Sequence, residues 1–490
     1  MGGPNEGLRL SRRSGPPCRL VAPVCRRRSS AALVRHRSLG GVMKRRWLTA
    51  WLIVASVGLE STLSFAAAQD ASSGTVLASP IRLRADDRFI DTGAEWGHSA
   101  PCMEDIDGDG LNDLILGDFS GKFRIYRNVG TAGQPSFRSD GLVQAGDADA
   151  SVLIYCCIGS QARFHDLNGD GHRDLITNSY DPGHCHVFWG LPEHRFAAGE
   201  VLVDRTGVPI RSVPVQQQEY QSFGSFYELV DWDDDGDLDI LIGCFDGKLA
   251  VRVNEGTRTK PEFVTENLEV LSEGEPLRVK AHCCPKVADW DQDGLWDIVA
   301  GSDDGSVTFF RNVGDSRKPV FARGETLVAA HDGHGYNRAI WDPSGIVPGI
   351  RSQVEVTDFD GDGKLDLILG DFYTAYDFRS DLTDAERAQA ESLVAERERL
   401  ENAFSASREA LLEAFAERFP GDAITSDEAQ KAWAVELAAL QEGPEAKALS
   451  SSEATFVKSL RPLLASTRAD GEQSFDLAPP HGHVWLYLRQ

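Results

Sequence analysis

The chain has 490 residues and carries 75 acidic against 50 basic side chains, a formal net charge of −25. This length suits two ordinary domains, or one repeat array with an appendage. Since a strongly acidic surface repels nucleic acid and anionic membranes, we exclude both as partners. Such a surface instead suits a protein that collects divalent cations.

The N-terminal segment from Met43 to Ala68 is typical of a secretory signal peptide. It begins with Lys44-Arg45-Arg46, continues with an apolar stretch and ends in small residues. Glu60 within the apolar stretch argues against stable membrane insertion. We interpret residues 1–42 as an over-extended gene start, with Met43 as the true initiator, and predict a secreted or periplasmic protein. Without residues 1–68, 38 basic and 73 acidic residues remain, a formal charge near −35.

Seven cysteines remain after removal of this leader. They are Cys102, Cys156, Cys157, Cys185, Cys244, Cys283 and Cys284. An exported chain meets an oxidising compartment, which permits disulfides, although an odd number leaves at least one cysteine unpaired. The sequence leaves the pairing open.

The dominant signal in the chain is a nine-residue pattern with Asp at positions 1, 3, 5 and 9 and Gly at position 6. Its five copies, called loops 1 to 5 below, are Asp105–Asp113, Asp166–Asp174, Asp231–Asp239, Asp289–Asp297 and Asp358–Asp366. Asn168 replaces the Asp at position 3 of loop 2. The loops start 61, 65, 58 and 69 residues apart.

Each loop leads into a short apolar run that predicts a buried strand, as in Leu114–Gly117. A strand of alternating character follows, as in Gly121–Asn128, and then a Pro-x-Phe entry to another strand, as at Pro135 and Phe137. Four-stranded units repeated radially are the blades of a propeller. We therefore predict an all-β propeller of about five four-stranded blades, with an α-helical insertion in the last blade.

The ends of the chain predict how the ring closes. Gly482–Arg489 supplies the third strand of the fifth unit, and the sequence then ends without a fourth. Residues 80–93 match residues 261–274 in register, although they precede any loop. We expect this N-terminal segment to provide the fourth strand of the last blade, which removes the free edges. The predicted propeller comprises residues 69–379 and the closing strand in residues 481–490.

Residues 380–480 differ in composition and predict a helical insertion. The segment from Thr383 to Phe419 is rich in Ala, Glu, Leu and Arg, with apolar residues at helical spacing. A second helix is predicted from Ser426 or Asp427 to near Gly443, and a third from Ser452 to Ser466. We interpret the segment as a helical hairpin between two strands of the fifth blade.

The aspartate pattern predicts calcium sites. Ca²⁺ takes about six to eight oxygen ligands, and a tight loop directs the side chains at positions 1, 3 and 5 to one point while position 9 completes the shell. Carboxylates this close repel each other unless a cation lies between them. The predicted ligands are Asp105, Asp107, Asp109, Asp113, Asp166, Asn168, Asp170, Asp174, Asp231, Asp233, Asp235, Asp239, Asp289, Asp291, Asp293, Asp297, Asp358, Asp360, Asp362 and Asp366. We expect the calcium to be structural.

Two other interpretations of the loops are weaker. An EF-hand needs an acidic residue at position 12, and position 12 here is Leu116, Thr177, Ile242, Ala300 and Leu369. Asp and Gly also form turns without any metal. That explanation suits a single copy better than five.

On these residues the chain resembles the FG-GAP/VCBS repeat family of integrin-α-like propellers. The resemblance covers residues 76–379 and 482–490 and implies that the loops bind calcium. Gly117, Gly243, Gly301 and Gly370 match the family's glycine after the apolar strand, whereas the Ala-Pro of the family's name is absent. Related propellers often have seven blades, and five loops are present here.

A transition-metal site is the weaker interpretation of three further motifs. His184-Cys185-His186 places two histidines on one strand face, where exposed strand histidines are the favoured interpretation. His282-Cys283-Cys284 and Tyr155-Cys156-Cys157 would share a copper or zinc site only if they converged at the axis. Disulfides or buried thiols are favoured there.

The sequence leaves two functional hypotheses. The first is an adhesion or interaction module that binds an extracellular or envelope protein or glycan and is not an enzyme, because no G-x-S-x-G, Walker or H-E-x-x-H motif occurs. The alternative is a secreted carbohydrate-active enzyme, a polysaccharide lyase or hydrolase. A cluster of Arg, His, Tyr and Asp at one mouth of the ring would favour the enzyme.

Overall fold

The computed structural model describes residues 76–95, 97–152, 159–180, 182–212, 225–330, 337–340, 347–419, 427–465 and 477–490. All of these residues lie in one structural unit. The predicted leader, Met43–Ala68, lies outside the described residues, as do Cys156 and Cys157.

The described part of the chain is mostly β, in five antiparallel arrays of four strands. Sheet 1 comprises Ala100–Glu104, Asp113–Gly117, Phe123–Asn128 and Phe137–Leu142; sheet 2 comprises Arg163–His165, Asp174–Asn178, Cys185–Phe188 and Glu200–Val201; sheet 3 comprises Phe226–Val230, Asp239–Gly243, Leu249–Arg252 and Leu268–Glu269; sheet 4 comprises Cys284–Ala288, Asp297–Gly301, Val307–Phe310 and Glu325–Val328; sheet 5 comprises Ile350–Thr357, Asp366–Asp377, Val484–Tyr487 and Ile81–Arg82. In each sheet an aspartate loop joins the first strand, called the inner strand below, to the second.

Shorter strands lie beside or between the four-stranded sheets. They are Arg84–Ala85 with Arg88–Phe89, Gln144–Ala145 with Ala148–Asp149, Gly190–Leu191 with Arg195–Phe196, Leu271–Ser272 with Glu275–Pro276, and the strands Asn337–Ile340 and Pro480–His481 beside sheet 5. Most of these pairs are hairpins that link one sheet to the next.

Sheet 5 is completed from both ends of the described chain. Ile81 pairs with Leu486 and Arg82 with Trp485, both antiparallel. The strand Val484–Tyr487 pairs in turn with the second strand of the sheet. This is the pairing that the ends of the sequence predict.

Apolar clusters lie between successive sheets. Each is marked by a residue pair: Ile115 and Phe164 between sheets 1 and 2, Ile176 and Ile242 between sheets 2 and 3, Leu241 and Ile298 between sheets 3 and 4, Val299 and Leu369 between sheets 4 and 5, and Leu116 and Ile368 between sheets 1 and 5. The second strands face two clusters at once, which is why their sequences are continuously apolar. The arrangement fits a β-propeller.

The glycine that ends each apolar run allows neighbouring sheets to approach closely. At Gly370 an added Cβ would lie well inside van der Waals contact with the carbonyl oxygen of Ser99 in sheet 1. The Ser99 amide also donates to the Asp371 carbonyl at 3.0 Å. The corresponding glycines of sheets 1, 3 and 4 make the same approach to the sheet that follows them.

Three helices, α1 (Asp384–Arg418), α2 (Asp427–Gln441) and α3 (Pro444–Leu460), lie between the second and third strands of sheet 5. Thr383 and Glu386 form a capping box at the start of α1. The predicted start of the third helix at Ser452 was wrong, because Pro444 already occupies the first turn, where its missing amide costs nothing. No helix in the described ranges is both long and apolar enough to span a membrane.

Candidate functional site

The aspartate loops share one hydrogen-bonding scheme. The Asp at position 1 accepts from the amide of the Gly at position 6 in all five loops, at 2.9–3.1 Å. The Asp at position 9 accepts from a backbone amide at the end of the third strand or two residues beyond it, at 2.6–2.8 Å. These bonds define the turn, and Gly at position 6 is required because its φ is positive, +95° at Gly236.

Three carboxylates converge in four of the loops. The groups are Asp105, Asp107 and Asp109; Asp231, Asp233 and Asp239; Asp289, Asp291 and Asp297; and Asp358, Asp360 and Asp366, each with ligand oxygens within 4.8 Å of one another. The position 5 residues Asp235, Asp293 and Asp362 lie outside these groups, and each accepts from the amide two residues further on. In loop 1, Asp113 is instead the outlying member.

The electrostatics of these groups suit a hard cation. Burial, together with neighbouring carboxylates, raises the pKa of Asp239 to about 7 and that of Asp297 to about 6. Asp233 Oδ1 and Asp289 Oδ1 are buried and have no hydrogen-bond partner in the described part of the chain. A carboxylate oxygen without a partner is costly in such a place unless a cation binds it.

The loops differ in the basic residues that already neutralise them. In loop 1, Arg127 Nη1 lies 2.7 Å from Asp107 and 2.9 Å from Asp113. In loop 4, Arg311 lies 2.9 Å from Asp291. Loops 3 and 5 have no such ion pair to their three converging aspartates within the described ranges. Of these two loops, loop 3 also has a buried carboxylate oxygen without a hydrogen-bond partner there, Asp233 Oδ1, so it is the strongest candidate for a cation site.

A ring of four charged residues fills the space between the inner strands. Arg163 of sheet 2 lies 2.8 Å from Glu228 of sheet 3 and 3.3 Å from Glu355 of sheet 5. Lys286 of sheet 4 lies 3.6 Å and 3.0 Å from the same two glutamates. Burial would raise the pKa of Glu228, yet Lys286 and Arg163 hold it below its usual range. Since four different sheets contribute, their inner strands must converge on a common line.

The end of the inner strands opposite the loops, called the mouth below, departs from the repeat. Seven residues before each loop, the chain has His98, Gly159, His282 and Arg351 in sheets 1, 2, 4 and 5. The backbone of His98, His282 and Arg351 has positive φ, between +50° and +66°. Such a conformation costs about 1–3 kcal/mol for a side chain of this kind, and it clusters at functional sites.

His98 presents a buried hydrogen-bond donor at the mouth. Its Nδ1 accepts from the amide of Gly159 at 3.1 Å, so the proton of the neutral ring lies on Nε2. Nε2 has no hydrogen-bond partner among the described residues. Burial, with the nearby Arg351 and His282, lowers the pKa of His98 well below its ordinary value, which keeps the ring neutral.

Asp303 joins the other two polar residues of the mouth. Its Oδ1 lies 2.8 Å from His282 Nδ1 and 3.3 Å from Arg351 Nε. Although burial opposes it, these two neighbours lower the pKa of Asp303, and the carboxylate is ionised. Its side chain is still 34% exposed, so it is open to a ligand.

Aromatic rings contact the polar residues of the mouth and one another across neighbouring sheets. Phe245 of sheet 3 lies 4.2 Å from His282, and the Arg351 guanidinium lies 4.9 Å from Phe372 of sheet 5. Phe372 in turn lies 5.8 Å from Phe119 of sheet 1, which lies 4.9 Å from His98. The contacts thus form an arc from sheet 3 through sheets 4 and 5 to sheet 1.

The mouth residues were mostly missed by the sequence analysis, which considered His282 only as a metal ligand. The signal was nevertheless present, because the arc uses the residues two places after the glycine of the apolar run. These are Phe119, Phe245, Asp303 and Phe372, and Tyr180 holds the equivalent position in sheet 2, where Asn178 replaces the glycine. Asp303 is the single non-aromatic member of that set.

The remaining predicted metal motifs show no metal geometry among the described residues. The rings of His184 and His186 lie 6.5 Å apart, and burial lowers the pKa of His186 to about 4. The described cysteines, Cys102, Cys185, Cys244, Cys283 and Cys284, are free thiols. His282 points to Asp303 and Phe245, so it is part of the mouth.

Comparisons with known proteins give structural likenesses of low score. No family model matches the chain, and no curated protein matches it. A GH43_1 enzyme from Xanthomonas citri is 13% identical with a TM-score of 0.33, covering 56% of this chain and 82% of that one. RS223-β-xylosidase is 14% identical with a TM-score of 0.32, covering 57% and 88%. BBS1N in complex with ARL6DN is 14% identical with a TM-score of 0.28, covering 57% and 79%.

These comparisons correct one prediction. The prediction that the chain is not an enzyme is contradicted, because the first two similar structures are both enzymes, and we withdraw it. TM-scores this low carry neither an activity nor a substrate to this chain. The resemblance to FG-GAP/VCBS repeats stays a prediction, since no family model matches.

Proposed function

We propose that this chain is a secreted carbohydrate-active enzyme whose active site is the mouth, on a calcium-stabilised propeller scaffold. The observation that carries the proposal is the cluster of His98, His282, Asp303 and Arg351, in which three side chains are attached to a strained backbone. Perturbed titratable groups in such a place are typical of functional sites. The sequence hypotheses named a cluster of this kind as the feature that separates an enzyme from an adhesion module.

The cluster combines the groups that act on a glycosidic substrate. Asp303 is an ionised acceptor, while His98 Nε2 and the Arg351 guanidinium are donors. Donors fixed in a buried place stabilise developing negative charge without first reorganising. The burial of His98 and Arg351, 0% and 5% exposed, supplies that fixed environment.

The scaffold part of the proposal is a closed ring of five blades with structural calcium in the loops. The apolar cluster and the close glycine approach between sheets 5 and 1 support closure. The converging carboxylates and the partnerless oxygens of Asp233 and Asp289 support calcium. These loops are also the basis for placing the chain with FG-GAP/VCBS propellers, and the leader is the basis for a secreted or periplasmic location.

An activity screen tests the function. The expressed chain is incubated in calcium with a panel of plant, algal and bacterial polysaccharides, and new reducing ends and unsaturated products are measured. We expect product from at least one polysaccharide, and the product type separates a hydrolase from a lyase. The variant Asp303→Asn should lower the rate about 100-fold, as loss of one preorganised polar group does.

The matched control is Asp147→Asn, which changes an exposed carboxylate in a hairpin turn. It should keep the full rate, and both variants should keep the thermal unfolding temperature of the parent within a few degrees. Binding of a glycan without any product would reject the enzyme and return the chain to an interaction module.

A further inference from the structure

We infer that the mouth recognises an uncharged glycan, a statement of substrate class that rests on the proposed function. The inference starts from which mouth residues a ligand can reach. Phe119, Phe245 and Asp303 are partly exposed, whereas His98, His282 and Arg351 lie buried beside them. A ligand therefore meets two aromatic rings and one carboxylate first.

Aromatic rings beside a few polar groups suit a sugar ring. The faces of Phe119 and Phe245 are apolar, and a pyranose offers an apolar C–H face together with hydroxyl groups at its edge. Binding sites commonly combine such an apolar lining with a small number of placed polar groups. Four of the five repeats place an aromatic residue at this position, and only Asp303 provides a carboxylate.

The polar groups of the mouth include both a hydrogen-bond acceptor and a donor, which is what a hydroxyl group requires. A sugar hydroxyl both donates and accepts hydrogen bonds. Asp303 accepts, and the buried His98 Nε2–H is a donor without a partner in the described part of the chain. A hydroxyl between these two groups would satisfy His98 and donate to Asp303. A carboxylate ligand could not donate to Asp303 and would be repelled by it.

Charge balance further disfavours an acidic polysaccharide. The ionised Asp303 offsets Arg351, and His98 is neutral, so no excess of positive charge arises from these three residues. Around them, the chain has a formal charge of −25 even with its basic leader included. A polyanion would be repelled over a distance of about 10 Å at moderate salt. An uncharged chain of sugars meets no such barrier.

Calorimetric titration of the full chain tests the inference. The probes are gluco-, xylo- and manno-oligosaccharides as uncharged ligands, and galacturonate and alginate oligosaccharides as acidic ones, each at low and at high salt. We expect at least one uncharged oligosaccharide to bind with an affinity that salt leaves unchanged. Asp303→Asn should weaken that binding at least about tenfold, since the charged acceptor for a sugar hydroxyl is lost.

Phe245→Leu provides a second variant that keeps the polar groups and removes the aromatic face. It should also weaken binding of the uncharged ligand, while Asp147→Asn leaves it unchanged. Binding of acidic oligosaccharides alone, or of none of the probes, would overturn the inference. Binding of an uncharged probe without turnover would reject the proposed enzyme and leave this inference standing, so the two failures are distinguishable.

Discussion

The two ends of the inner strands differ in how strictly they follow the repeat. At the loop end, the same hydrogen bonds recur in all five copies, from the Gly110 amide to Asp105 through to the Gly363 amide to Asp358. At the mouth, equivalent positions hold His98, Gly159, His282 and Arg351. Features that recur in every sheet are explained by the needs of the fold, whereas a change at one repeat requires a local reason.

That difference separates scaffold from site. At the loop end, aspartate side chains accept hydrogen bonds from the backbone amides of their own loop, and these bonds fix the turn between the first two strands of each sheet. At the mouth, positive φ falls on three bulky residues that meet in one cluster, whereas at the loop end the non-glycine residues with positive φ in the described ranges are Asp234 and Gln292, each within its own turn. We therefore expect changes at the loop end to alter stability, and changes at the mouth to alter binding and turnover.

Removal of calcium is the largest expected effect and tests the scaffold half of the comparison. A ligand at 100 times its Kd stabilises the folded state by about 2.7 kcal/mol per site, and several loops would contribute. Chelation should therefore lower the unfolding temperature strongly, as measured by calorimetry with and without calcium. An unfolding temperature that does not respond to chelation would contradict the calcium proposal.

The loops provide their own matched pair. Asp233→Asn removes a ligand from loop 3, where no basic residue neutralises the converging carboxylates in the described ranges, and should reduce the calcium-dependent gain. Asp107→Asn changes loop 1, where Arg127 already pairs with the carboxylate at 2.7 Å, and should reduce the gain less. Equal losses would show that the arginine does not compete with the metal.

The charged ring shows that a departure from the repeat is not always functional. Glu228→Ala should lower the free energy of unfolding by about 3–5 kcal/mol, because it leaves the two buried cations Arg163 and Lys286 with Glu355 as their one remaining partner in the ring. Denaturant titration measures the change. Glu255→Ala, which removes an exposed ion pair to Arg205, should cost less than about 1 kcal/mol. A cost at Glu228 no larger than at Glu255 would mean that water reaches the ring.

The contact between sheets 5 and 1 gives a smaller, sharper test of ring closure. Gly370→Ala places a methyl group against the Ser99 carbonyl and should cost about 2 kcal/mol through overpacking. Gly363→Ala meets nothing within 4 Å and has a φ of +87°, so it should cost about 1 kcal/mol from backbone strain alone. If the first variant costs no more than the second, the two sheets are not in contact in solution.

The sequence predicts the repeated features well because their cause is local. Gly at position 6 and the apolar run after each loop follow from the turn and from burial between two sheets, and both are visible in one repeat. Arg163, Glu228, Lys286 and Glu355 were missed, although each lies three residues before its loop. Their pairing arises only when different sheets meet, so no single repeat contains it.

The mouth was missed for a related reason. His98 and Arg351 are ordinary residues until the repeats are aligned and a glycine is seen at the equivalent position in sheet 2. The composition of residues 380–480 predicts the helical insertion, yet the start of its third helix was placed at Ser452, whereas the helix begins at Pro444. Pro444 fits the first turn of a helix, since its missing amide would have no partner there in any case.

The smallest expected effect concerns His481, which joins the insertion's return strand to the N-terminal segment. Its Nδ1 lies 2.8 Å from Asp91 and its Nε2 3.5 Å from Asp377. Burial opposes protonation, yet the two carboxylates raise the pKa of His481 to about 10. A raised pKa means that protonation stabilises the folded chain, fully so below the ordinary value of 6.5, and that this contribution is lost as pH rises through about 10.

His481→Gln isolates this contribution from other groups that titrate at high pH. The parent should be more stable than the variant by about 1 kcal/mol at pH 7, a value kept small because solvent screens part of the interaction. The difference should vanish above pH 10, as followed by denaturant titration at several pH values. A difference that persists at pH 11 would assign the role of His481 to its stacking on Tyr373 at 5.2 Å. In that case the residue would belong with the packing of the scaffold, and the charge on its ring would play no part in holding sheet 5 together.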